Sequence, residues 1–184
     1  MLKEYVENKL SFELEKVQKR RIDKPLIELS IYEETLIYYY SIDGYEQLNE
    51  DLREGKENVY ETYLNEVLDK LPNYKEIVHR GVVLTKSKIE YYKIAKIRGE
   101  NITESAFVSS SKSLSIANQY SKASAMISII SKTGKEIEKY SCYGLDHPQN
   151  EKEVLFKSKT MFSVLEFDDS EDVIKIILEE IENG

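Results

Sequence analysis

The period of the apolar residues changes at Pro72, and this change narrows the folds open to the chain. Before it, apolar residues recur at helical spacing: Leu2, Val6, Leu10, Leu14 and Val17, then Tyr45, Leu48 and Leu52, then Val59, Tyr63 and Val67. Pro25 is expected to end the first helix, residues 26–42 read as helix, Asp43-Gly44 reads as a turn, and Gly55 and Pro72 stop the next two helices. From residue 76 onward strands dominate. They are predicted near 76–84, 105–110, 124–131, 136–141, 153–158, 161–167 and 172–180, with short helices near 86–97 and 112–121. The last segment is ambiguous. Val173, Ile174, Ile177, Leu178 and Ile181 fit a helical stripe, whereas Ile174, Ile176 and Leu178 fit a strand. Helices followed by strands, rather than alternating with them, read as an α+β fold.

At 184 residues the chain fits one domain, 1–184, with residues 1–72 as a mainly helical lead-in and 73–184 as a strand-rich core. A hydrophobic content of 41% is that of a globular protein. No apolar run approaches the roughly 18–20 residues of a membrane span, so no membrane partner is expected. The charged start, Met1-Leu2-Lys3-Glu4-Tyr5-Val6-Glu7, lacks a signal-peptide core. Cys142 is the only cysteine, which excludes an internal disulfide. These features fit a cytoplasmic protein, or one delivered into a target cell without a cleaved signal. A net charge of −8 disfavours nucleic-acid binding through phosphates and suits a basic target surface. Lys19-Arg20-Arg21 reads as the solvated end of a helix. His79 and His147 have no cysteine or carboxylate at metal-ligand spacing, so no metal site is expected.

Three motifs carry chemistry, and each alone has an ordinary explanation. Ile77-Val78-His79-Arg80-Gly81-Val82-Val83-Leu84 reads as a strand with an arginine in it. Arg80 could face water at a sheet edge. A guanidinium inside a strand also suits a phosphate or pyrophosphate, and Gly81 lets a flat ligand approach the backbone. Phe107-Val108-Ser109-Ser110-Ser111-Lys112-Ser113 ends a short strand in hydroxyls. These could cap the following helix, or orient a ligand or a carboxylate. Glu151-Lys152-Glu153 opens the apolar run Val154-Leu155-Phe156. Glu-x-Glu recurs in this acidic chain, so the pair could be a solvated strand end. In an extended backbone, however, residues i and i+2 share a face, so both carboxylates would enter one site and call for a cationic partner or a developing positive charge.

The order strand-arginine, Phe-x-Ser-x-Ser, Glu-x-Glu resembles the Arg-Ser-Glu class of mono-ADP-ribosyltransferases, which includes many bacterial toxins. The likeness extends over about residues 36–180. It takes in Leu36–Ser41, Tyr45-Glu46-Gln47-Leu48-Asn49, Leu52-Arg53, Leu68–Pro72 and Ser141 with the loop that follows. The resemblance implies two packed mixed or antiparallel sheets around an NAD cleft, with a strand at 172–180. It implies NAD as a substrate, with no metal. In this class Arg80 would neutralise the pyrophosphate and Gly81 would bind the nicotinamide amide. Ser109 would hold the ribose and steady Glu153, and Ser111 would also lie at the NAD site. Tyr120 would pack on the nicotinamide end, and Lys122 would meet a phosphate. Glu153 would stabilise the positive charge developing as nicotinamide leaves, and Glu151 would orient or deprotonate the acceptor. Glu at 151, rather than Gln, favours an arginine on a target protein. Leu145–Asn150 occupies the loop where family toxins often carry an aromatic residue, with Tyr143 farther back. An NAD glycohydrolase, a catalytically silent module of the same fold, and transfer to a nucleic acid or small molecule are the alternatives.

Overall fold

The computed structural model describes residues 1–23, 28–119 and 123–182. The chain divides into two compact units. One comprises Met1–Pro72 and Ile137–Asn150; the other comprises Asn73–Glu136 and Glu151–Gly184.

The first unit contains helices α1 (Leu2–Lys9), α2 (Ser11–Asp23), α3 (Ile31–Tyr39), α4 (Tyr45–Arg53) and α5 (Val59–Asp69). The single helix expected from Leu2 up to Pro25 is two, because Leu10 leaves helical geometry at φ −128°. Val6, Leu10, Leu14 and Val17 are nevertheless all buried, so the stripe is conserved across the break. Helix α2 ends at Asp23, and Pro25 lies outside the described residues. Ser30 caps α3 reciprocally: its hydroxyl accepts from Glu33 N and its own N–H donates to the Glu33 carboxylate. The turn expected at Asp43-Gly44 does not occur. Tyr40–Gly44 form a π-helical turn that carries α3 into α4. Gly44 permits it, since a Cβ there would sit 2.7 Å from the Tyr39 ring.

In the basic cluster at residues 19–21 Lys19 is exposed, as expected of a solvated helix end, but Arg20 and Arg21 are half-buried. Glu34 on α3 is fully buried, and both Arg20 and Arg21 pair with it, Arg21 Nε at 2.5 Å. Arg20 also donates to the carbonyls of Tyr140 (2.8 Å) and Ser141 (3.0 Å). A buried carboxylate needs such partners, and the arginines supply them. The strand expected at 136–141 is likewise overturned beyond Glu136. Ile137 and Tyr140 bury in this unit, and the Tyr140 hydroxyl donates to Glu28 at 2.5 Å.

Among the described residues the second unit is a sheet with two helices. Its elements are β1 (Asn73–Tyr74), β2 (Ile77–Val82), α6 (Lys86–Arg98), β3 (Asn101–Glu104), β4 (Val108–Ser111), α7 (Leu114–Ala117), β5 (Ala125–Ile130), β6 (Gly134–Glu136), β7 (Glu153–Phe156), β8 (Thr160–Asp168) and β9 (Ile174–Ile181). The short strands β1 and β3 have no counterpart in the sequence reading. The hydrogen-bonded order is β1-β6-β7-β4-β2-β5-β9-β8-β3, mixed because β5 and β9 run parallel. The ladder is thinnest between β2 and β4, where a single pair, His79↔Ser111, joins them.

The expected two layers are present within this one ladder. Phe156 on β7 and Phe162 on β8 are five strands apart in the order, about 24 Å in a flat sheet. Their ring centroids lie 5.5 Å apart. The sheet therefore curls over, and its two parts enclose one core of Val78, Ile127, Ile129, Val154, Phe156, Phe162, Ile176 and Leu178. The ambiguous segment is a strand, β9, paired with β5 on one side and β8 on the other. Alternation there buries Ile176, Leu178 and Glu180. The Glu180 carboxylate accepts from Lys132 N (2.6 Å), Thr133 N (2.7 Å) and the Thr133 hydroxyl, closing the turn between β5 and β6.

Candidate active site

Strand β4 sorts its residues by the two-residue alternation of extended backbone. Val108 joins the core, and the Ser110 hydroxyl on the same side donates to the Val154 carbonyl at 2.8 Å. Ser109 and Ser111 take the other side. The register with β7 sets Ser111 opposite Glu153 and Ser109 opposite Leu155. Glu153 thus has Ser111 beside it and Ser109 on the diagonal, within reach of a side chain. The Ser109 hydroxyl donates to the Glu153 carboxylate.

Glu153 is only 4% exposed. Burial pushes its carboxyl up to about 7, and the negative charge of Glu151 pushes the same way, while the Ser109 hydrogen bond and the Arg80 charge oppose them. Such a carboxyl changes charge near neutral pH, as acid–base groups at reaction centres do.

Arg80 lies on the Val78 side of β2, paired with Ile127 of β5. Its Nη1 donates to the Ser109 carbonyl at 2.8 Å. The guanidinium therefore ties β2 to β4 beside their single ladder pair, and its charge also reaches Glu153. His79 points to the opposite side of β2, where its Nδ1 lies 3.1 Å from Ser128 Oγ. Gly81 is half-buried next to Arg80, across from Met126.

Glu151 is half-buried, and its path differs from the sequence expectation. Strand β7 begins at Glu153, and Lys152 before it has φ 48°, in the left-handed region. The extended i, i+2 geometry does not therefore apply to the pair. Glu151 is still close enough for its charge to raise Glu153. The Ser111 hydroxyl is engaged within the protein: it donates to the Glu151 carbonyl at 2.7 Å and accepts from Ser113 N at 3.1 Å. Tyr120 and Lys122 lie outside the described residues.

Two features of this region escape sequence reading. The Lys112 N–H donates to the Lys152 carbonyl at 3.0 Å, and nothing in a Lys-Lys pairing forty residues apart announces it. Tyr92 on α6 is buried, and its hydroxyl donates to Glu104 at 2.7 Å. Burial raises the Tyr92 pKa and the nearby Arg80 charge lowers it, which places Tyr92 within electrostatic reach of Arg80. Among the described residues no three His, Cys, Asp or Glu side chains gather as a metal site requires.

The fold is that of bacterial ADP-ribosyltransferases. Exoenzyme S from Pseudomonas aeruginosa, solved with human 14-3-3 protein beta and carba-NAD, superposes with a TM-score of 0.74 over 97% of this chain and 86% of its own, at 18% identity. HopU1 of Pseudomonas syringae pv. tomato DC3000 gives 0.72 over 88% and 82%, at 19% identity. Vis from Vibrio splendidus, solved with agmatine, gives 0.69 over 92% and 83%, at 21% identity. The model of the family described as "ART: NAD:arginine ADP-ribosyltransferase" matches residues 16–184, and the chain belongs to that family. It is also 34% identical over 146 residues to a Mycobacterium avium (strain 104) protein, Mav, that bears the name of an NAD(+)–arginine ADP-ribosyltransferase. That match takes in 77% of this chain and spans 17% of the relative's length.

Proposed function

We propose that this chain is a mono-ADP-ribosyltransferase that moves ADP-ribose from NAD to an arginine side chain of a target protein. The observation that carries the proposal is Glu153: a carboxylate buried on β7, held by the Ser109 hydroxyl, with the charges of Arg80 and Glu151 both acting on it. Family membership agrees with it. So does the likeness in fold to Exoenzyme S with carba-NAD and to Vis with agmatine, a compound that ends in the guanidinium group of arginine.

The residues present suit NAD. Arg80 supplies a planar cation for its pyrophosphate, Gly81 leaves backbone polar groups approachable for the nicotinamide amide, and Ser109 offers a hydroxyl to the ribose. When bound, NAD supplies the ADP-ribosyl group, with positive charge developing at the ribose carbon as the bond to nicotinamide breaks. In its ionised form Glu153 places a negative charge against that carbon from a buried position, where such a charge acts most strongly. Ser109 keeps the carboxylate aimed. Glu151, nearer solvent, orients the acceptor guanidinium and takes the proton released when its nitrogen bonds to the ribose carbon. The bonding electrons of the broken link leave with nicotinamide.

The acidic net charge favours a basic acceptor surface. No described helix is long and apolar enough to cross a membrane. A related fold, XopAI of Xanthomonas axonopodis, carries the name of a type III effector, and we extend that mode, action inside a target cell, to this chain.

The test is incubation with labelled NAD and an arginine-containing protein or agmatine, following nicotinamide release and acceptor labelling in parallel. Label on arginine, located by mass spectrometry, is expected. Glu153→Gln should lose both activities, and Glu151→Gln should lose labelling while retaining much of any slow hydrolysis. Label on asparagine or cysteine would overturn the acceptor. Nicotinamide release without labelling would make the chain a glycohydrolase.

A further inference from the structure

Among the described residues two that are not glycine have positive φ, Lys152 and Lys159, and Lys152 lies between the two carboxylates. Lys152 has φ 48°, a conformation that side-chain-bearing residues adopt at a cost and keep only where the surroundings hold them there. Two bonds from β4 and the residue after it do so. Ser111 Oγ donates to the Glu151 carbonyl at 2.7 Å, and Lys112 N donates to the Lys152 carbonyl at 3.0 Å. Ser111 is itself fixed, because it pairs with Glu153 in the ladder and accepts from Ser113 N. Consecutive carbonyls of the Glu151-Lys152 link are thus gripped from one neighbouring strand end, immediately before β7 begins.

The consequence concerns Glu151 and not Glu153. Glu153 is set by the β4–β7 register and by the Ser109 hydroxyl, neither of which is made by the Glu151-Lys152 backbone. Were Lys152 extended, Glu151 would continue the alternation of β7. The left-handed residue breaks that continuation and gives Glu151 a direction of its own, more exposed than Glu153 yet close enough to act on its charge. We propose that the left-handed turn at Lys152, clamped by the Ser111 hydroxyl and the Lys112 amide, is a positioning device that sets Glu151 toward the acceptor independently of Glu153. Ser111 on this reading acts through the backbone of the acceptor-side carboxylate and not on NAD. The inference rests on the proposed role of Glu151.

The experiment compares Lys152→Val, Lys152→Gly, Ser111→Ala and Ser111→Thr with Glu151→Gln in the full chain. A β-branched residue resists positive φ, whereas glycine accepts it. Lys152→Val and Ser111→Ala should cut agmatine labelling about tenfold or more while the KM for NAD and the rate of NAD hydrolysis stay within about twofold. Lys152→Gly and Ser111→Thr, which keep the turn or the hydroxyl, should retain most of the labelling. Amide exchange gives a readout free of activity: the Lys112 N–H should exchange faster in Lys152→Val and Ser111→Ala, with β5 and β9 amides unchanged. If Glu151→Gln itself labels agmatine normally, the role given to Glu151 fails. If Glu151→Gln loses labelling but Lys152→Val and Ser111→Ala keep it, the positioning device fails while that role stands. Equal loss of labelling and hydrolysis in Ser111→Ala would also overturn it, because Ser111 would then serve the whole site.

Discussion

Glu153 is buried by folding while a second carboxylate stands nearby, and the sign of both effects is the same. Its folded value, about 7, lies above the 4.5 of an ordinary glutamate. The folded state therefore favours the protonated form. The stability this group contributes is present below pH 4.5 and is lost as pH rises through about 7. Glu153→Gln, which stays neutral, should gain on the parent protein across that window, by on the order of 3 kcal/mol above it. Denaturant titrations at about pH 5 and about pH 8 measure the difference. Catalysis runs the other way, since the ionised form is the one that stabilises positive charge. The kcat/KM for NAD should rise through about pH 7 in the parent and fall by about a hundredfold or more, without that rise, in the variant. A flat profile for the parent would remove Glu153 from the chemistry. Arg80 differs in kind: its Nη1 donates to the Ser109 carbonyl at the narrow junction of β2 and β4, and the rest of its planar fork is what a pyrophosphate would meet. Arg80→Lys keeps the charge but not the fork. A rise of about tenfold in the KM for NAD is expected, with an unchanged circular dichroism spectrum. An unchanged KM would leave Arg80 a purely structural tie.

Helix α3 depends on a charge arrangement more than on its own propensity. Ser30 caps it, but its buried Glu34 has to be neutralised by Arg20 and Arg21 from α2. Glu34→Gln removes the negative partner and leaves two arginines, each mostly buried, facing an amide. The expected cost is about 3 kcal/mol, read from the urea midpoint. A change near zero would mean that the arginines find water when released. Strand β9 illustrates the opposite balance. Its residues fit helix and strand equally in sequence, and pairing on both sides decides for strand. A helix there would leave β5 and β8 with open edges and would strand Glu180 away from the Lys132 and Thr133 amides.

At the scale of the whole chain, the excess of negative charge is a prediction about encounter and not about fold. A net charge of −8 should draw basic acceptors and repel acidic ones. Labelling of a basic protein should therefore slow as salt is added, labelling of an acidic protein should quicken, and NAD hydrolysis should change little. Salt-independent labelling of both would mean that only the local site selects the acceptor. The division of the chain into a helical unit and a sheet unit belongs to this scale as well. Residues 137–150 return to the helical unit, which the apolar period alone did not reveal: Ile137 and Tyr140 fit a strand as readily as a turn.

The sequence by itself determined the parts that depend on neighbours along the chain. Helical stripes before Pro72, strands after it, the serine run on β4 and the Glu151–Glu153 pair leading into β7 were all legible, because burial of one face imposes a period and a motif keeps its members adjacent. Tertiary structure alone decided what depends on partners far away. It fixed Arg20 and Arg21 on Glu34, the π-helical turn at Tyr40–Gly44, the single pair joining β2 to β4, and the left-handed backbone at Lys152. A period reports that a side chain is buried, not which charge it meets there. A lysine carries no signal for positive φ until two donors from another strand hold its carbonyl and that of Glu151. The protonation of Glu153 belongs to the same class, since burial sets it and burial exists only once the sheet has folded over on itself.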